Sequence, residues 1–322
     1  MNGIKRLALC LALLGAAPAI SAEVEVEVQV EGGPLRGSLA MPADGVARAA
    51  VVIVPGSGPT NRDGDSPLGV EAGYLRLLAG ALAERGVASI RVDKRGMFAS
   101  AGTFADPNAV TFDDYAGDAL AWVDVAREKT AAECAFILGH SEGGLVALVA
   151  ARAAGPSLCG LVLVAAPGRP MGVVLREQLR ASLADASVLA EALAAIEALE
   201  RGERVDAAGL DPSLQGLFFS EAVQGFLIDA FARDPAALIA GVKLPVLIVQ
   251  GEADLQVGLA DADALSRAQP AAGRVLVPGM NHVLKEVPPG DVAANLAAYG
   301  DPSLPLAPGL AEAVAGFILE AR

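Results

Sequence analysis

The chain has 322 residues, 53% of them hydrophobic and 19% charged, enough apolar material for a large buried core. Its 24 Lys and Arg stand against 38 Asp and Glu, a formal net charge of -14. An acidic surface with no basic run repels phosphate backbones, which argues against a nucleic-acid partner. Two histidines and three cysteines, in no metal-ligand spacing, argue against a zinc site, and neither metal nor cofactor is expected.

In chain order, the first segment reads as an export signal over residues 1–22. Lys5 and Arg6 precede the apolar run Leu7 to Ala17, and Ser21-Ala22 offers a small-residue cleavage site. The run is shorter than the ~20 residues that a membrane-spanning helix needs, so no stable span is expected. The protein is expected to be exported, to a periplasm or beyond the cell. Glu23 to Val30 then alternates acid or Gln with Val, the period of a half-buried strand. Gly32-Gly33 turns the chain, and Leu35 to Met41 returns as the second arm of an antiparallel hairpin.

Short apolar runs then alternate with helical patterns. Strands are expected at Ala49 to Val54, Ala88 to Val92, Ala135 to Leu138, Leu161 to Ala165, Pro245 to Val249 and Val275 to Val277. Helices are expected near Tyr74 to Arg85, Phe112 to Glu128, Glu142 to Ala153 and Leu310 to Glu320. This alternation predicts a mostly parallel sheet covered on both faces. Between Gly168 and Pro235 the rhythm breaks. Leu175, Leu179, Leu183, Leu189, Leu193, Ile196 and Leu199 recur at helical spacing, which predicts a helical cap inserted over the sheet. The expected organisation is core over 23–167, cap over 168–236 and core again over 237–322.

Gly139-His140-Ser141-Glu142-Gly143 satisfies G-x-S-x-G between a buried strand and an Ala-rich helix. A sharp strand-to-helix turn of this kind lifts a serine hydroxyl clear of the sheet. Ser141 is therefore the candidate nucleophile. A neutral hydroxyl needs a base, and only His140 and His282 exist. His140 precedes Ser141, starts in the opposite direction and reads as a packing residue. That leaves His282, after the last strand. Asp254 follows the strand at 245–249 and is the candidate acid that orients the base; Glu252 is a weaker rival, and Asp261 and Asp263 suit a helix better. The order Ser, Asp, His is that of α/β-hydrolases. A developing oxyanion needs preformed donors. The N–H of Glu142 and of Ser57 are the candidates, with Gly58 or Gly56 as alternatives to Ser57. In the cap, Phe218, Phe219, Phe226 and Phe231 suit either an apolar substrate wall or the cap's own core; the first three are taken as candidate substrate contacts. Cys134 and Cys159 each precede a strand candidate, and an oxidising compartment permits a bridge between them.

From Val51 onward the sequence resembles bacterial carboxylesterases of the α/β-hydrolase superfamily, in the branch with serine-aminopeptidase-like and monoacylglycerol-lipase-like proteins. The resemblance rests on PGSGPTNRDGD at 55–65, RVDKRG at 91–96, GHSEGG at 139–144, GEADLQV at 251–257 and NHVLK at 281–285. It implies the same triad, Ser141, Asp254 and His282. Pro55 departs from it, standing where many relatives carry His. The expected activity is hydrolysis of small-molecule carboxylic esters of short to medium acyl chain through an acyl-enzyme. A peptidase or amidase of the same fold is the second reading, with Glu177, Glu191, Glu197 or Glu221 holding a peptide terminus. A non-catalytic binding protein is the third. Nothing in the sequence fixes an oligomeric state.

Overall fold

The computed structural model describes residues 23–104, 106–216 and 219–321. The export segment expected over 1–22 lies outside these residues, as does Phe218.

Alternating Glu and Val form β1 (Glu23–Val30), which pairs antiparallel with β2 (Gly33–Ala40). β2 in turn runs antiparallel to β4 (Val87–Val92). The remaining strands are parallel: β3 (Ala49–Val54), β5 (Ala135–His140), β6 (Leu158–Val164), β7 (Val246–Gly251) and β8 (Gly273–Val277). The eight strands lie in the order β1-β2-β4-β3-β5-β6-β7-β8. The chain steps from β3 out to β4 and then back across to β5. The strand order therefore reverses between β3 and β5, and a crevice opens there at the carboxyl ends.

The central parallel strands β3, β5, β6 and β7 are largely apolar and buried because both faces are covered, whereas β8 at the sheet's far edge carries Arg274 and is mostly exposed. Ala50, Val52 and Val54 of β3 enter one core, with α2 (Phe112–Thr130) and α3 (Glu142–Ala153). Val51 and Ile53 enter the other, with α1 (Tyr74–Ala83) and α11 (Leu310–Glu320). Thr111 and Asp114 start α2 with reciprocal side-chain-to-backbone bonds, a device worth about 1 kcal/mol. Cys134 and Cys159 are bridged, with Cα atoms 5.3 Å apart, at the amino ends of β5 and β6.

Between β6 and β7 the described residues form no strand, and the regular elements are helices: α4 (Met171–Ser182), α5 (Ala186–Glu200), α6 (Pro212–Gln215), α7 (Gln224–Phe231) and α8 (Pro235–Ala240). Leu179, Ile196 and Leu199 bury the apolar stripe read from the sequence. The entry to this segment is fastened to α9 (Leu259–Ala268) by Asp261. That carboxylate is fully buried and accepts from the N–H of Gly168 (3.0 Å) and Arg169 (3.1 Å) and from the Arg169 guanidinium. A short helix α10 (Val292–Ala297) precedes α11.

Candidate active site

Ser141 sits between β5 and α3 at φ 53°, ψ -123°, a conformation that L-residues adopt at a cost. Two neighbours must be glycine for the turn to close. A Cβ on Gly139 would lie 2.0 Å from the Gly143 carbonyl, and one on Gly143 would lie 2.3 Å from the Val54 carbonyl. The turn therefore presses α3 against the end of β3. There the loop at 55–58 meets the serine: a Cβ on Gly56 would lie 3.2 Å from Ser141 Cβ. Ser57, Ser141 and Glu142 all line one cavity. Among the described residues, no acceptor meets the N–H of Ser57 or of Glu142.

His282 Nδ1 donates to Asp254 Oδ2 at 2.8 Å, leaving Nε2 free of this bond. The Asp254 side chain is fully buried and the His282 side chain 7% exposed. The carboxylate is held by further donors: the N–H of Gln256 (2.8 Å) and of Val257 (3.0 Å) reach Oδ1, and Gln250 Nε2 reaches Oδ2 at 3.4 Å. The rival Glu252 is exposed. Asp261 is committed to the Arg169 clasp.

His140 is more than a packing residue. Its Nε2 donates to the His282 carbonyl at 2.8 Å, and its Nδ1 accepts from the Tyr74 hydroxyl at 3.3 Å. The tautomer follows from these partners. Burial, with His282 adding to it, pushes the His140 pKa down to about 3, so the ring is neutral. It supports the backbone of the second histidine, to which its ring lies 4.8 Å away by centroids.

The loop that follows β3 is ordered by ion pairs. Arg62 donates through its N–H to Asp93 Oδ1 (2.9 Å) and through Nε to Oδ2 (3.1 Å), and reaches Glu25 on β1 at 2.8 Å. Burial raises the Asp93 pKa, and the Arg62 bonds oppose that shift. Arg91, 1% exposed, spans Asp63 and Glu23. Lys94, at the end of β4, donates to the Gly56 carbonyl (2.7 Å) and to Glu142 Oε1 (2.8 Å).

The cavity has a volume of about 400 Å³. The segment at 168–236 supplies Met171, Val174, Leu175, Val223, Phe226 and Phe231 to its wall; the core supplies Met97, Phe104, Val110 and Tyr115. Phe226 stacks on Phe112 with centroids 5.0 Å apart. Phe219 does not line the cavity, contrary to expectation; it is fully buried and packs in the core. The core-side wall escaped sequence reading because Phe104 and Val110 lie in irregular segments, where no period marks a face.

The family model for serine aminopeptidase, S33 matches residues 66–285. Esterase EstD of Thermotoga maritima is 30% identical over 236 residues, covering 72% of this chain and 52% of that protein. The chain thus spans about half the length of this curated relative. Among solved structures, Est1E from Butyrivibrio proteoclasticus superposes with TM-score 0.57 at 20% identity, covering 92% of this chain and 98% of that one. A putative hydrolase from Agrobacterium vitis gives TM-score 0.54 at 21% identity, covering 92% and 99%. At such identities these two support the fold, and the family match spans both the serine turn and the segment carrying Asp254 and His282. The chain belongs to the serine aminopeptidase, S33 family and has the α/β-hydrolase fold.

Proposed function

We propose that this protein is a serine carboxylesterase acting on small apolar esters of short to medium acyl chain, with Ser141, His282 and Asp254 as its triad. The observation that carries the reading is the buried His282–Asp254 bond at the sheet edge where Ser141 opens onto an apolar cavity. Esterase EstD, 30% identical, supports the ester class.

The reaction follows from these groups. Ser141 Oγ attacks the ester carbonyl carbon while His282 Nε2 takes the hydroxyl proton. The carbonyl electron pair moves onto oxygen, where the N–H groups of Ser57 and Glu142 receive it. Asp254 stays ionised, fixing the tautomer and stabilising the imidazolium. The intermediate collapses by breaking the bond to the alkoxy oxygen, which takes the proton back from His282. Water repeats the sequence on the acyl-serine and releases the acid. His282 begins the cycle as a neutral imidazole, the form that can take the serine proton.

The walls favour esters over aminoacyl substrates. A peptide amino terminus needs an unpaired carboxylate. Among the described residues, Glu142 is the cavity's one carboxylate, and Lys94 occupies it. Glu177 is paired with Arg169, Glu197 with Arg201, and Glu191 accepts from the Asp211 N–H. Neither these nor Glu221 lines the cavity. We read residues 168–236 as a cap over a core made of 23–167 and 237–322. The Cys134–Cys159 bridge supports an oxidising compartment.

The test is hydrolysis of p-nitrophenyl esters from acetate to palmitate by wild type and Ser141→Ala. Wild type is expected to turn over the shorter esters, and the variant to lose at least about 1,000-fold in kcat. Folded wild type that ignores every ester but cleaves aminoacyl anilides would move the assignment to an amidase.

A further inference from the structure

We propose that Lys94 is the positioning residue of the oxyanion hole, aligning both of its donors from one buried ammonium. The inference rests on the triad and oxyanion reading above. Lys94 is 5% exposed and leaves the carboxyl end of β4. Its Nζ has two hydrogen-bond acceptors, the Gly56 carbonyl at 2.7 Å and Glu142 Oε1 at 2.8 Å, and lies 5.3 Å above the Tyr115 ring.

The first acceptor belongs to the peptide unit that carries the Ser57 N–H. No described peptide bond is cis. In a trans unit the C=O and N–H point in opposite directions across one plane. Fixing the oxygen on Nζ therefore fixes the Ser57 N–H to the far side. A cation on the carbonyl also withdraws electron density along the unit, which makes the N–H a stronger donor. The second acceptor is the side chain of the residue whose own N–H is the other donor. Glu142 begins α3, so an anchored Glu142 side chain holds the first turn of that helix in register with the loop at 55–58. The loop follows β3 and the helix follows β5, and no other side-chain hydrogen bond joins Gly56 or Ser57 to Glu142 among the described residues.

A buried pair can often be replaced by apolar side chains at little cost, whereas removing one partner strands the other's charge. This separates positioning from folding. The variants are Lys94→Met and the double replacement Lys94→Met with Glu142→Met, which leaves no stranded charge. Each is assayed beside wild type and Ser141→Ala on p-nitrophenyl butyrate, with thermal unfolding recorded. Inhibition by an alkyl trifluoromethyl ketone is measured against the matching methyl ketone, since only the trifluoro compound forms a stable tetrahedral oxyanion on the serine.

The expected result is a kcat lower by about 10- to 100-fold with KM within about twofold. Affinity for the trifluoromethyl ketone should fall in parallel while that for the methyl ketone holds. A folded variant that keeps kcat and trifluoromethyl ketone affinity within about twofold of wild type overturns the proposal. So does failure of both variants to fold, because Lys94 is then a determinant of the fold. If Ser141→Ala keeps wild-type activity, the triad reading itself has failed, which is a different outcome from any of these.

Discussion

Replacing both Cys134 and Cys159 by Ala tests whether the bridge stabilises the sheet without touching the chemistry. The two residues are 25 apart in sequence. In the chain-entropy account, opening a loop of that length restores about 12 cal/mol/K to the unfolded chain, or about 3.5 kcal/mol at 25 °C. For a domain of this size that corresponds to a drop in Tm of about 5 °C. The bridge lies at the amino ends of β5 and β6, whereas Ser141 follows the carboxyl end of β5. A strand rises about 3.3 Å per residue, so the perturbation sits about 20 Å from Ser141. Urea unfolding of the oxidised wild type and the double variant should therefore separate by several kcal/mol. Ester turnover at 25 °C should agree within about twofold. Equal urea midpoints would refute the reasoning, and so would a kcat lost in step with stability.

Two further outcomes are expected. Asp254→Asn keeps the shape of the acid but lets His282 adopt the wrong tautomer, so kcat on a p-nitrophenyl ester should fall about 10,000-fold; a loss under tenfold would remove Asp254 from the triad. His140 makes acid stability directional. With its pKa held down to about 3 in the fold and near ~6.5 when unfolded, the unfolded chain binds the extra proton between those values. This histidine's contribution should fall as pH drops through that window, by at most about 1.4 kcal/mol per pH unit. His140→Asn should flatten the urea midpoint between pH 7 and pH 5 relative to wild type, and an unchanged slope would show that the ring is not excluded from charging.

The parts legible in the sequence were those written in local order. Period-two alternation placed β1, and apolar runs bounded by Gly and Pro placed the parallel strands. The Ser141 turn and the scarcity of histidine point to the candidate nucleophile and base. What stayed hidden depends on partners far along the chain. Asp261 reads as an ordinary helix residue, yet its acceptor role is set by Gly168 and Arg169, about ninety positions away. The turn motif points to the Glu142 backbone, but its side chain answers to Lys94, 48 positions earlier. His140 reads as packing because a buried imidazole that holds two hydrogen bonds and one that merely fills space leave the same trace in a sequence. Phe219 and Phe226 are alike in composition, and only their placement separates a core residue from a cavity wall.

The charges on β1 also bear on solubility. Among the described residues this strand is one of the sheet's two edges, and an edge presents unpaired backbone groups to any other chain. Val24 on it is 51% exposed, a foothold for a second copy. Glu23, Glu25 and Glu27 alternate with the valines, so two edges meeting antiparallel would bring acid rows against each other. The carboxylates that anchor Arg91 and Arg62 thus also guard against strand-to-strand aggregation. Neutralising them to relieve the chain's acidity would remove both protections together.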